Sequence, residues 1–143
     1  MSATTHSLPH ATPLLLLKDR YGRIARDLRV SLTDRCNLRC TYCMPAQGLD
    51  WTPSEQLLTD EEIIRLVTIG VRLLGIRQVR FTGGEPLLKK SLDQLIHKVK
   101  QLHTDEGKSV STALTTNGIG LHRKATQLKD AGLDRVNISL DTL

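Results

Sequence analysis

Aromatic residues are scarce in this chain: one Trp, one Phe and two Tyr make up 3% of 143 residues. Proteins that grip single-stranded nucleic acid stack bases on aromatic platforms beside Lys/Arg tracks. No long basic run flanks stacking residues here, so no nucleic-acid partner is expected. Long apolar runs are also missing. The longest, Leu14–Leu17, follows Pro13, is far short of the ~20 residues of a membrane span, and has no basic region ahead of it. No membrane partner is expected, and a cytoplasmic location is. An organellar transit segment has little support, because the first Arg is Arg20. Cysteine is sparse and one-sided: there are three, Cys36, Cys40 and Cys43, and none follows. An odd set packed into one short loop is not a disulfide framework; in a reducing compartment it reads as a metal or cluster site.

What is present is an ordinary globular composition, 39% hydrophobic and 24% charged, in a chain long enough for one modest domain. The net charge of +5 reads either as a plain basic surface or as attraction for an anionic ligand such as a nucleotide. Met1–Pro13 is rich in Ser, Thr, His and Pro and reads as disordered, a tail drawn to residue 17.

From there strand and helix alternate. Asp27–Thr33 has Leu28, Val30 and Leu32 on one face and reads as a first strand. The stretch 34–54, with Gly, two Pro and the three Cys, reads as a long functional loop. Thr59-x-x-Glu62 is a capping box ahead of Ile63, Ile64, Val67, Val71 and Leu74 at helical spacing, with Gly75 as the stop. Gln78–Thr82 is a second strand, followed at once by Gly83-Gly84-Glu85-Pro86. Ser91-x-x-Gln94 looks like a second capping box, opening a helix with Leu92, Leu95, Ile96, Val99 and Leu102 on its apolar stripe. Ser109–Thr115, a helix over Leu121–Ala131 and Arg135–Leu140 complete the series. The order β-α-β-α-β-α-β predicts an α/β fold of parallel strands with crossover helices, its site at the C-terminal ends of the strands. Four strands make half of an eight-unit barrel, which takes about 250 residues. The expectation is therefore the N-terminal piece of a longer protein.

Three thiolates on one loop can hold three irons of a cubane cluster, and the fourth iron then keeps an open position for a chelating ligand, as catalytic metals do. Most iron–sulfur sites use four cysteines, so having only three is informative. The alternatives are inert buried cysteines and a zinc site completed by His. The nearest histidines, His10 and His97, are not at finger spacing. Trp51, the one Trp, falls in the same loop and reads as a cover over it.

Cys36-x3-Cys40-x2-Cys43 resembles the signature of the radical S-adenosylmethionine superfamily, and Gly83-Gly84-Glu85-Pro86 resembles that superfamily's second motif, whose backbone and Glu hold the methionine amine. Residues 27–45, 79–87, Leu114-Thr-Thr-Asn-Gly118 and 131–141 are similar to its GTP 3′,8-cyclase family, which acts in molybdenum cofactor biosynthesis. The resemblance implies the N-terminal half of a partial (β/α) radical-SAM barrel over residues 18–143. It implies a [4Fe–4S] cluster on Cys36, Cys40 and Cys43, S-adenosyl-L-methionine on Tyr42, Gly84 and Ser139, and GTP on Arg29, Arg80 and Thr115. It further implies a one-electron reductant and a homodimer. In that family a 5′-deoxyadenosyl radical takes a hydrogen from the GTP ribose, and the ribose carbon attacks the guanine ring. The residues themselves leave Arg29 and Arg80 open as cations suited to a triphosphate or as surface arginines. Thr115 and Ser139 stay open between ligand and turn-bonding roles, and Glu85 between a ligand and a solvated carboxylate. The family's second three-cysteine site, with its later lysine, arginines and Gly-Gly tail, has no counterpart in these residues. The readings left standing are a GTP-cyclising radical enzyme or its partial fragment, a radical enzyme of another branch, and a non-catalytic cluster-binding fragment.

Overall fold

The computed structural model describes residues 13–140. Residues 1–12 of the expected tail lie outside the described residues. The rest of that tail runs along the first helix, with the Leu15 N–H donating to the Leu73 carbonyl at 2.7 Å.

Strands β1 (Asp27–Ser31), β2 (Gln78–Thr82), β3 (Ser111–Thr116) and β4 (Arg135–Ile138) form one parallel sheet in chain order. Helices α1 (Asp60–Leu74), α2 (Leu92–Lys100) and α3 (Leu121–Asp130) make the crossovers. The capping box at Thr59 is present in full: the Glu62 N–H donates to the Thr59 hydroxyl oxygen, and the Thr59 N–H donates to the Glu62 carboxylate. Gly75 closes α1 in the left-handed region at φ 73, which a side chain would strain. The second box is not formed, since Ser91 makes no cap bond to its own helix. Instead the Ser91 hydroxyl and the Lys89 ammonium lie on Asp60 at the start of α1. A neighbouring carboxylate has taken the hydroxyl that would have capped α2.

Register sets which side chains share a face. Val30, Phe81, Leu114 and Val136 are opposite one another across the four strands, and Leu28 faces Val79. This face packs on Ile63, Val67 and Val71 of α1, Leu92, Leu95, Ile96 and Val99 of α2 and Leu128 of α3, all essentially buried. Each such side chain contributes about 1.5–3 kcal/mol by leaving water. The opposite face is almost wholly polar: Asp27, Arg29 and Ser31 on β1, Gln78, Arg80 and Thr82 on β2, Ser111, Ala113 and Thr115 on β3, and Arg135 and Asn137 on β4. Half a barrel is the natural reading of a sheet that is apolar toward its helices and polar on the concave side. β2 has the bounds the sequence suggests, β1 and β4 stop two residues short at their C-terminal ends, and β3 starts two residues later and runs to Thr116. At these C-terminal ends the chain leaves the ladder to build the site.

Candidate active site at the strand ends

The loop after β1 is held by specific bonds rather than by regular structure. The Cys43 and Met44 N–H groups both donate to the Cys40 carbonyl, at 2.9 and 3.1 Å, which turns the chain so that Cys40 and Cys43 come to one side. The Leu38 N–H lies 3.5 Å from the Cys36 sulfur. Arg39 braces the loop from behind: its Nη1 donates to the carbonyls of Cys36 and Leu38, and its guanidinium stacks on Trp51 at 5.4 Å. Trp51 thus sits against the cluster loop, as the sequence suggested. The Thr52 N–H donates to Asp34 at 2.6 Å and holds that carboxyl below its ordinary range.

The turn after β2 explains its glycines. A Cβ on Gly83 would stand 2.6 Å from the Thr33 carbonyl oxygen, and one on Gly84 would stand 2.5 Å from that of Asp34 and clash with that of Arg35 as well. Without side chains, the two segments continue the pairing of β1 and β2 beyond the strands. The Gly84 N–H donates to Thr33 O at 2.6 Å and the Glu85 N–H to Arg35 O at 2.7 Å. The cysteine loop is therefore welded to the Gly-Gly turn through main chain.

Glu85 is 1% exposed, and both its oxygens are taken. One accepts from the Thr116 hydroxyl at 2.6 Å and the Leu87 N–H at 3.0 Å; the other accepts from the Asn117 N–H at 2.9 Å. This carboxylate ties the β2 turn to the end of β3, and it also lines the cleft that the cysteines share. Asn117, which the sequence showed only as half of a turn, extends the tie. Its side-chain N–H donates to the Asn37 side-chain oxygen between Cys36 and Cys40, at 2.8 Å, and its own side-chain oxygen accepts from the Ile119 N–H. An Asn before Gly was the only signal, and it is shared by countless turns.

One cleft of about 190 Å³ collects these parts. Cys36, Cys40, Cys43, Tyr42, Gly84, Thr115 and Ser139 all line it, so seven of the nine residues singled out from the sequence meet there. Tyr42 and Ser139 are exposed at its rim, and the Ser139 N–H donates to Thr116 O. Such a volume is below that of a pocket enclosing a whole cofactor-sized ligand, so a ligand seated here continues onto the open sheet face. Arg29 and Arg80 lie on that face rather than at the strand ends. They are directly opposite in register, in the middle of β1 and β2. The Arg80 Nη2 is 3.3 Å from Asp27, and its buried Nε has no partner.

All three cysteines are free thiols. Among the described residues no three His, Cys, Asp or Glu side chains converge on a point as ligands of a single ion do. His97 lies away from the loop, in the groove between α2 and α3. A cubane spreads its thiolates over separate irons, and three sulfurs around one open cleft, with no fourth, suit that group. No helix among the described residues is long and apolar enough to cross a membrane.

Comparison with known proteins agrees with this geometry. Residues 30–143 match the model of the radical SAM superfamily. The chain is 65% identical over 136 residues to a GTP 3′,8-cyclase of Corynebacterium glutamicum, covering 95% of this chain and 36% of that protein. It is 62% identical over 128 residues to the one from Streptomyces coelicolor, covering 90% and 36%, and 55% identical over 143 residues to that of a Mycobacterium species, covering 100% and 39%. The chain thus spans little more than a third of the length of these curated relatives. With the family match over most of its length and a half-barrel that gathers the cysteine loop and the Gly-Gly turn at one cleft, the chain belongs to the radical SAM superfamily.

Proposed function

We propose that this chain forms the cluster- and cosubstrate-binding part of a GTP 3′,8-cyclase, which converts GTP to 3′,8-cyclo-7,8-dihydro-GTP for molybdenum cofactor biosynthesis. The observation that carries the reading is continuity. The cysteine cleft opens onto a polar sheet face that bears opposed arginines one row below Thr115.

Cys36, Cys40 and Cys43, which line one cleft, hold a [4Fe–4S] cluster. When bound, the cluster and S-adenosyl-L-methionine together supply a hydrogen-abstracting radical. Gly84 has spent its N–H on Thr33, so the polar atom it keeps for the methionine amine is its carbonyl oxygen, an acceptor suited to an ammonium group. Tyr42 and Ser139, on opposite sides of the cleft rim, flank the nucleoside portion.

Thr115 then meets the ribose of the substrate. Arg29 and Arg80, two residues nearer the N-terminal ends and so about 7 Å away along the strands, take its phosphates. The unpartnered Arg80 Nε is a donor awaiting such an acceptor. This order places the sugar between the radical source and the phosphate grip, which fixes the ribose for hydrogen abstraction. A one-electron reductant must reach the cluster from the exposed Cys43 side of the loop.

Anaerobic reconstitution tests the reading. About four irons per chain and cleavage of S-adenosylmethionine under reductant are the expected results, with GTP-dependent formation of the cyclised nucleotide once the chain is extended to the length of its relatives. Stoichiometric zinc without iron would overturn it. Cleavage of S-adenosylmethionine with no change in GTP, by a chain extended to the length of the relatives, would move it to another branch of the superfamily.

A further inference from the structure

Arg29 and Arg80 are two members of a longer row. Register carries the row across the sheet as Arg29, Arg80, Ala113 and Arg135. Like charges directly opposite one another weaken a sheet, so an Arg–Arg pair in the middle of β1 and β2 calls for a counter-anion. Among the described strand residues Asp27 is the one carboxylate on this face, and its ion pair is to Arg80, at 3.3 Å. Arg29 and Arg135 make no ion pair among the described residues. The acid nearest to Arg135 in sequence, Asp134, is engaged by Lys100 and by Thr112.

The small residue in the row matters as much as the large ones. Neighbouring strands are about 4.8 Å apart, so Arg80 and Arg135 are roughly 10 Å apart at the backbone, with Ala113 between them. A methyl group there adds no bulk beyond its Cβ between Arg80 and Arg135. Ala113 is itself 1% exposed yet lies outside the cluster of apolar side chains packed on the helices, so it is covered from the concave side.

We infer that Arg135 is a third phosphate-binding residue, closing with Arg29 and Arg80 on a polyphosphate chain that lies over Ala113. The inference rests on the reading that a nucleoside triphosphate occupies this face, and adds a residue to it. Three guanidinium groups offer paired donors along the chain, and together they outnumber the one carboxylate that competes for them.

Titration calorimetry with inorganic tripolyphosphate probes the row apart from any nucleoside. The chain should bind tripolyphosphate, and binding should weaken with added salt. Arg135→Ala should lower the affinity roughly ten- to hundredfold, and Arg135→Lys should restore part of it. Both variants change an exposed side chain, and circular dichroism should show the fold unchanged. Equal binding by Arg135→Ala and the unaltered chain would overturn the inference, as would a failure of the unaltered chain to bind tripolyphosphate. GTP measured in parallel separates the two claims. If tripolyphosphate behaves as expected but GTP binds no better than ATP, the arginine row stands and the guanine-specific reading falls.

Discussion

Replacing Glu85 tests whether this carboxylate belongs to the fold. Three donors converge on it: the Thr116 hydroxyl at 2.6 Å, the Asn117 N–H at 2.9 Å and the Leu87 N–H at 3.0 Å. The side chain is 1% exposed, so water does not replace it freely. Glu85→Ala leaves three donors without an acceptor. At about 1–1.5 kcal/mol each after partial rehydration, the loss comes to about 3–5 kcal/mol. Glu85→Gln keeps the volume, but turns one oxygen into an amide that must face the Asn117 N–H donor to donor. Its expected cost is about 1.5–3 kcal/mol. Thr116→Val removes the shortest of the three bonds and also the acceptor of the Gly118 N–H, at about 1–2 kcal/mol. Urea unfolding of the four proteins reads the series, and the gentler two stay measurable if Glu85→Ala falls below the folding threshold. The refuting outcome is a Glu85→Gln variant as stable as the parent that has lost binding of S-adenosylmethionine. The carboxylate would then be serving a ligand and not the joint between β2 and β3.

Asn117→Ala cuts the side-chain bond to Asn37 and should hasten loss of iron from the reconstituted chain several-fold while costing about 1 kcal/mol of stability; iron release to a chelator, followed by absorbance, checks the rate. Gly84→Ala forces a methyl group against the carbonyls of Asp34 and Arg35 and should destabilise by about 3 kcal/mol or more, read as a fall in the thermal midpoint. Asp60 has a lowered pKa: burial pushes its carboxyl up, but the Ser91 hydroxyl and the Lys89 ammonium outweigh that. Its contribution is therefore fully present above its ordinary value of 3.8 and is lost as pH falls through the lower folded-state value. Asp60→Asn should then be less stable than the parent at neutral pH, with the gap closing in acid; urea midpoints at pH 7 and near pH 3 test the sign.

Local signals were the legible ones. Thr59-x-x-Glu62 formed its box and Gly75 its left-handed stop because both are settled within one turn of chain. The apolar periods of α1 and α2 read correctly because burial against the sheet follows directly from helical spacing. Ser91 failed because a better partner, Asp60, arrives from a segment about thirty residues earlier, and no local pattern announces it. The structural role of Glu85 was hidden for a related reason. Its motif suggested a ligand, while its three donors come from β3 and the adjoining turn. Arg29 and Arg80 were named from resemblance, but that they oppose each other across two strands is a fact of register. The third arginine of the row was hidden by the same ignorance. The alternation Arg135-x-Asn137-x-Ser139 carried the signal, matching Asp27-x-Arg29-x-Ser31 and Gln78-x-Arg80-x-Thr82.

The matching alternations have a consequence for how the site is built. A parallel sheet covered by helices on both faces reads as a continuous apolar run. Here β1, β2 and β4 are apolar at one parity and polar at the other, and β3 sets Leu114 between Thr112 and Thr116 on the helix-packed side, so only one face is paid for by hydrophobic burial. The other face holds opposed arginines and a buried, unpartnered Nε, features that cost stability and that a purely structural surface would not keep. The apolar parity must therefore supply enough burial to carry the polar one, and it does so through a core that runs unbroken from Leu32 to Leu128. The cysteine loop hangs from the same strands through the Gly83-Gly84 contacts and the Glu85–Asn117 tie. The cysteine loop and the arginine row are thus fixed to one sheet, one at its strand ends and the other in mid-strand, which sets the distance between the cleft and the guanidinium groups.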